Sequence, residues 1–389
     1  MEVTHSARNY AALDGMRGYA AVLVSLTHFV GFYALGFRGL NVERATYVSV
    51  PHAVDALFLW LYLNMQSLYI LLTISGFMVC RMVMRSSYRG YGHFLLARSV
   101  RIYPPLLFSL GFAVALASLL SEPVDLSLRN ILYNVFALNG IFELKGQPWN
   151  FPSWSLFYEI GYCLFVPAFV ALARRTTLPA MTLLALWSPV LLALALAGFT
   201  GWILFAPFVF GSLLAQLDDR RLIATAKRIP TWTVIAAYAV VSALPSSWAP
   251  IPRIDETGVH FAPSYIVFIL LACMMACLLL VKTVYSEGVL QRVFSIPLLA
   301  FLGKVSYSFY LLHAPLIPVA FVVLAPLVGR WSDPGGVAHL IQLLAIFWVM
   351  VGASAILGFH AVEMIYFRSP LSSRSKARAS IAAADSVPA

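Results

Sequence analysis

The run PSYIVFILLACMMACLLLVK, residues 263–282, carries no charged residue before its final Lys282. A helix needs about 20 apolar residues to cross the hydrocarbon of a bilayer, and this run has that length. It does not alternate apolar and polar residues, as the strands of a membrane β-barrel must. Comparable runs flank it at 231–247 and 301–325, and others lie at 12–33, 56–79, 102–120, 154–173, 178–197, 200–217 and 338–360. Gly198-Phe199-Thr200-Gly201 supplies a tight turn between two of them. The pattern predicts an all-α, polytopic membrane bundle of about ten transmembrane helices.

Composition agrees. Of 389 residues, 61% are hydrophobic and 11% charged, against about 45–50% and about 25% in a soluble domain. Mean hydropathy is +0.84. So little charge excludes a soluble globular enzyme, a disordered chain and a coiled coil. The net charge of +10 is explained by topology. With the N-terminus inside, twenty of the 26 Lys and Arg residues are cytoplasmic, and Arg38, Arg44, Arg129, Lys145, Arg253 and Arg330 are outside. That asymmetry predicts an N-in/C-in arrangement and needs no nucleic acid. The first run contains Asp14, Arg17 and His28 and is not a cleaved signal peptide. Cys80, Cys163, Cys273 and Cys277 show no CxxC or Cys/His spacing, so neither a metal site nor a disulfide framework is expected. Residues 1–368 read as one transmembrane domain and 369–389 as a disordered cytoplasmic tail. Two outer stretches, 34–55 and 121–152, are long enough to hold structure. Their Tyr47, Asp125, Glu143 and Trp149 suit sugar stacking and an interfacial belt equally.

Ionisable residues at membrane depth are costly and mark function by default. Asp14 and Arg17 are three apart on one helix face, which fits an interfacial ion pair or a charged entrance. Arg17 and His28 are eleven apart, so they share a face to within about 20° and are separated by about 16 Å of rise. His28 is either a satisfied polar group between helices or a site residue. Arg98 and Arg101, just ahead of Ile102-Tyr103-Pro104, are topology charges or paired forks for phosphate. Ser155 and Glu159 share a face of the fourth run. Counted from the outer helix ends, Glu159 and His28 lie at similar depth, which allows a His–carboxylate pair. Asp14, about 21 Å from His28, cannot make it. Ser306, Tyr310 and His313 share a face of the ninth run, as a polar seam or part of a site. His360 and Glu363 read as anchors at the inner surface.

Together these residues resemble the acyltransferase-3 family of integral membrane O-acyltransferases. Leu13-Asp14-Gly15-Met16-Arg17-Gly18 followed by His28 is similar to its opening L-D-G-[LM]-R-G motif and histidine. Arg98 to Arg101 is similar to its RxxR motif, Ser153-Trp154-Ser155-Leu156 with Glu159 to SWSLxxE, and Ser306 to His313 to SYxxYLxH. The family's usual core has ten spans. Some members add an extracytoplasmic hydrolase-like domain; with none here, the membrane core is expected to handle the acceptor.

The resemblance implies a multi-pass acyltransferase of the bacterial cytoplasmic (inner) membrane. It would move a short acyl group, often acetyl, from cytoplasmic acyl-CoA to a hydroxyl of a carbohydrate-type acceptor. No cofactor is bound permanently; acyl-CoA is a co-substrate, and membrane lipid is the other partner. His28, Glu159 and Asp14 are the candidate catalytic residues. Arg17, Arg98 and Arg101 are candidates for the acyl-CoA phosphates, and Ser155, Trp154, Tyr310 and His313 for substrate contact. His28 suits proton transfer near neutrality, and Glu159 could orient its imidazole. Direct transfer and an acyl-histidine intermediate both fit. The competing class is a proton-coupled exporter or flippase, which the lack of an internal repeat disfavours.

Overall fold

The computed structural model describes residues 2–39, 53–63, 66–85, 90–244, 253–255, 258–369 and 371. Tyr47 and nearly all of the expected tail 369–389 lie outside the described residues.

The chain is a helical bundle. Its first half contains α1 (Glu2–Arg38), α2 (Ala53–Leu63), α3 (Gln66–Arg85), α4 (Tyr91–Leu119), α5 (Leu128–Val135), α6 (Trp154–Ala173) and α7 (Pro179–Leu196). Then come α8 (Ala206–Ala215), α9 (Asp219–Arg228) and α10 (Thr231–Ala243). A short antiparallel hairpin follows, β1 (Arg253–Asp255) with β2 (Gly258–His260), in the register Arg253 to His260. The second half holds α11 (Pro263–Tyr285), α12 (Val289–Phe294), α13 (Pro297–Lys304), α14 (Ser306–Val319), α15 (Ala325–Val328), α16 (Val337–Gly358) and α17 (Met364–Arg368). π-helical turns join α14 to α15 and α16 to α17.

Among the described residues eight helices are long and apolar enough to span a membrane: Tyr10–Arg38, Asp55–Arg85, Tyr91–Leu119, Phe151–Ala173, Pro179–Leu196, Pro263–Tyr285, Ser306–Val328 and Val337–Arg368. The pair Thr200–Ala215 and Asp219–Arg228, bent by 104°, makes a ninth if counted as one span. The described part of the expected run 231–247 contains the 13-residue α10, about 20 Å long against a core of about 30 Å. Eight or nine candidate spans among the described residues are consistent with the expected polytopic bundle.

Local chemistry sets the helix ends. Pro179, Pro263 and Pro297 open their helices at the first turn, where a missing N–H costs nothing. The Ser127 hydroxyl accepts from Asn130 N–H to cap α5, and Asp218 accepts from Arg221 N–H to cap α9. Two departures from the sequence reading matter for the site. Helix α4 begins eleven residues before the expected span, so Arg98 and Arg101 lie within a helix and not in a loop. The ninth expected run breaks at Val305, which places Gly303 and Lys304 on α13 and Ser306 at the head of α14.

The glycines of the first motif are packing surfaces. A Cβ on Gly15 would meet the Phe294 carbonyl, and one on Gly18 the Leu299 carbonyl. A Cβ on Gly303 would in turn meet the carbonyl of Asp14. Backbones of α1, α12 and α13 thus touch directly, the small-residue packing that membrane helices use in place of a hydrophobic driving force. Helices α1 and α14 run through both large buried clusters of the bundle, so residues on them are held on rigid elements.

Candidate active site

The site has two layers, stacked along α1, α6 and α14. In the first, Nδ1 of His28 lies 2.8 Å from Nε2 of His313, with the rings nearly parallel. Nδ1 of His313 lies 2.6 Å from the carbonyl oxygen of Tyr310, one turn back on its own helix. A carbonyl only accepts, so His313 Nδ1 carries a hydrogen and donates it. In its neutral form His313 then presents a bare Nε2, which accepts from His28 Nδ1–H. Neutral His28 is thereby held as the tautomer whose Nε2 carries a lone pair. That nitrogen has no hydrogen-bond partner among the described residues.

A small cavity of about 30 Å³ opens beside this imidazole, walled by Val24, Thr27, Ser67, Leu68, Trp154 and Tyr310. The Tyr310 hydroxyl donates to the Pro152 carbonyl at 2.9 Å and shares a 2.8 Å hydrogen bond with Ser155. His28, His313, Tyr310, Ser155 and Trp154 are therefore gathered in one place.

Glu159 is not among them. It forms an ion pair with Arg98, and the Ser75 hydroxyl donates to the same oxygen at 3.4 Å. The expected His28–Glu159 pair is not made. Glu159 lies five residues after Trp154 on α6, about 7.5 Å further along that helix. Depth counting misplaced it for two reasons. Helix α1 runs to Arg38, five residues past its expected end at 33. And the chain is already at the level of His28 when α6 begins, because the Phe151 ring packs edge-on against the His28 ring at 4.8 Å.

The second layer is charged. The Arg98 side chain is only 8% exposed and Glu159 16%. Arg101 lies over the rings of Tyr366 and Phe367, 5.5 Å from each centroid. Arg17 is 3.9 Å from Asp14 and within the electrostatic reach of Arg101, Glu159 and Glu363. Tyr307, which donates to the Ile102 carbonyl at 3.0 Å, sits amid Arg98, Arg101, Glu159 and Glu363. The two expected guanidinium forks do not face one way. Arg98 is turned to a carboxylate and Arg101 to aromatic faces.

The sequence profile of the acyltransferase-3 acyltransferase domain matches residues 10–359. The chain belongs to the acyltransferase-3 family. It is a multi-pass membrane acyltransferase. No curated protein and no solved structure matches it. In this acyltransferase the matched stretch contains both layers apart from Glu363, Tyr366 and Phe367.

Several residues that build the acyltransferase site were given no part in it by sequence. Glu363 is buried and not a surface anchor: it accepts from the backbone N–H of Ser308 at 2.9 Å and from its hydroxyl, tying the α16–α17 junction to α14. His360 of the same turn is exposed. Asn150 is buried, and its amide donates to the Leu311 carbonyl at 2.8 Å and to Ser109 at 3.1 Å. It pins the Phe151 segment against α14. Asn130 and Asn134 bind the backbone of Gln147 and Trp149, folding the stretch 121–152 onto the bundle. Near the start of that stretch Asp125 accepts from Ser127 N–H at 2.8 Å, which holds its carboxyl below the usual range. The one available signal was Trp149-Asn150-Phe151-Pro152, a turn-forming cluster with two large rings that an ordinary solvated loop would not need.

Proposed function

We propose that this acyltransferase moves a short acyl group from cytoplasmic acyl-CoA to a hydroxyl of a carbohydrate-type acceptor, with His28 as the general base. The observation that carries the reading is the chain from the Tyr310 carbonyl through His313 to His28. It leaves a lone pair on His28 Nε2 beside a cavity at membrane depth, which is what a base needs. Two imidazoles in series also give the proton a second nitrogen on which its charge is shared. His313 is thus the positioning residue for His28, the part first given to Glu159.

His28 Nε2 takes the proton of the acceptor hydroxyl as its oxygen attacks the thioester carbonyl. The carbon–oxygen ester bond forms, the carbon–sulfur bond breaks, and the proton passes from His28 to the leaving thiolate, releasing CoA thiol. Arg17 and Arg101, at the inner layer, are the residues proposed to meet the anionic head of acyl-CoA. Arg98, turned to Glu159, holds the wall they stand on, and Asp14 orients Arg17. The pantetheine arm would rise between α1, α6 and α14, the helices both layers share. The chain is read as N-in/C-in in a bacterial cytoplasmic membrane, with the donor on its basic side.

The test compares cells carrying the wild type, His28→Ala and no protein, with mass spectrometry of surface glycans, lipo-oligosaccharides and secreted metabolites. An acyl increment present only with the wild type supports the reading. An increment undiminished in His28→Ala membranes that contain the variant at wild-type level removes it.

A further inference from the structure

We propose that α9 is a docking face for anionic phospholipid headgroups, seated at the membrane surface where α8 ends. The proposal concerns the lipid around the enzyme and stands apart from the role given to His28.

The helix Asp219–Arg228 carries four cations in ten residues. At 100° per residue, Arg220, Arg221, Lys227 and Arg228 fall within an arc of about 120° and extend over about 12 Å of rise. Leu222 and Ala226, the buried residues of the helix, fall directly opposite the centre of that arc. With Val281 of α11 they form a small buried cluster of their own. The helix therefore turns its apolar stripe onto the bundle and its cationic stripe away from it, and all four cations are exposed. It is also fastened at both ends. Arg81 and Arg85 of α3 each reach Asp219 at 2.9 Å, and Lys282 of α11 donates to the Ala226 carbonyl at 2.9 Å. The Asp219 carboxylate is thus turned back to α3 and does not cancel the stripe. Asp218 answers Arg221 at 3.3 Å, an exposed pair of the kind that contributes little. Arg220, Lys227 and Arg228 make no ion pair among the described residues.

The level of the stripe identifies its occupant. Helix α9 departs at 104° from the segment Thr200–Ala215, so beside a helix that crosses the bilayer it lies along the membrane plane. Trp232 follows Arg228 by four residues and is 70% exposed, and Ile235, on the same face of α10, is 54% exposed. Tryptophan with exposed aliphatic carbon beyond it marks the boundary where headgroups give way to acyl chains. The same step recurs at the turn from α6 to α7. Arg174 and Arg175 are exposed there, the first reaching the Met84 carbonyl beside Arg85, and Leu178 and Met181 beyond them are exposed too. Clusters of about four to eight Lys and Arg on an amphipathic helix recognise anionic lipid surfaces. A soluble anionic partner would account for the cations but not for the lipid-facing carbon set directly beside them.

The experiment offers the purified full chain, in mild detergent, equal amounts of phosphatidylglycerol and phosphatidylcholine, and counts the lipids retained by native mass spectrometry. Each cation close to an anionic surface contributes a factor of about five, so the wild type is expected to favour phosphatidylglycerol by at least about tenfold. Arg220→Gln/Lys227→Gln/Arg228→Gln should bring the two lipids close to parity. Arg220→Lys/Arg228→Lys should keep the wild-type ratio, because charge and not the guanidinium fork is read. Arg330→Gln, an exposed cation at the opposite end of the bundle, should keep it as well. If the triple variant fails to fold, Lys227→Gln/Arg228→Gln decides, with an expected drop of at least about fivefold. A wild type that holds the two lipids alike, a ratio unmoved by removal of the charges, or an equal drop in the lysine variant or in Arg330→Gln overturns the proposal. So does a triple variant that keeps the lipid ratio and loses acyl-CoA affinity, which would make α9 part of the donor site.

Discussion

The imidazoles of His28 and His313 are joined through Nδ1 and Nε2 at 2.8 Å, although 285 residues separate them in sequence. The bond joins the first spanning helix to the seventh of the eight long ones. It fixes which nitrogen of His28 is bare, so the two residues make different and separable predictions.

His28→Ala is expected to lower acyl transfer by about 10²–10⁴, the usual contribution of a general base. His313→Leu removes the acceptor that fixes the tautomer and is expected to lower kcat with little change in acyl-CoA affinity. His313→Gln keeps a side-chain acceptor and should recover part of that loss. Thiol release measured on all three checks this; equal rates for His313→Gln and His313→Leu would reduce His313 to packing.

Arg98 and Arg101 are expected to behave differently despite their spacing. Removing one member of a buried ion pair leaves an uncompensated charge and costs about 3–5 kcal/mol. Arg98→Ala should therefore sharply lower the unfolding temperature in detergent, and replacing Arg98 and Glu159 together by Met and Leu should recover most of it. Arg101→Ala loses a contact with aromatic faces worth about 0.5–2 kcal/mol. Its main effect should be weaker acyl-CoA binding at low salt, with the gap from the wild type narrowing at high salt, where a partly exposed charge contact is already screened. Calorimetry or fluorescence binding at two ionic strengths distinguishes the two residues.

Gly303→Val should abolish folded, inserted protein, because the new side chain meets the backbone of Asp14 and not a movable side chain. Gly352→Ala, where nothing stands within 4 Å of an added Cβ, should be accepted and gain a little helix stability. Fluorescence-detected size exclusion of the two variants reads the contrast directly.

Asn150→Leu strips the Leu311 carbonyl of a donor and frees the Phe151 segment. The expected cost is about 1–3 kcal/mol in stability, together with lower turnover as the Phe151 ring leaves His28. Matched melting and thiol-release measurements on Asn150→Leu and Asn139→Leu separate the two effects, since Asn139 donates to the Phe151 carbonyl but not to α14.

The bundle was legible because long uncharged runs admit one structural solution in a bilayer. So were the residues that gather around His28, because helical spacing puts Tyr310 and His313 on one face and Trp154 beside Ser155. Helix spacing does not say which helices become neighbours. The His28–His313 bond and the Arg98–Glu159 pair are both contacts between distant helices, and the second was hidden further because α4 starts a full three turns before its apolar run. Glu363 was misread for a related cause. A carboxylate near the end of an apolar run reads as interfacial, and only the fold shows Ser308 waiting to donate to it. The folded-in loop was the least readable part. Its asparagines carry no apolar periodicity, and their effect is exerted wholly through backbone groups.

Arg17 and His28 stand on one unbroken helix, so the gap between them is a length written into the chain, eleven residues at about 1.5 Å each. Rearrangement of the surrounding helices can widen or narrow the route but cannot alter that interval. On the proposed reading α1 acts as a ruler: a donor gripped by its head must have an arm of matching reach, and donors are sorted by length before any bond is broken.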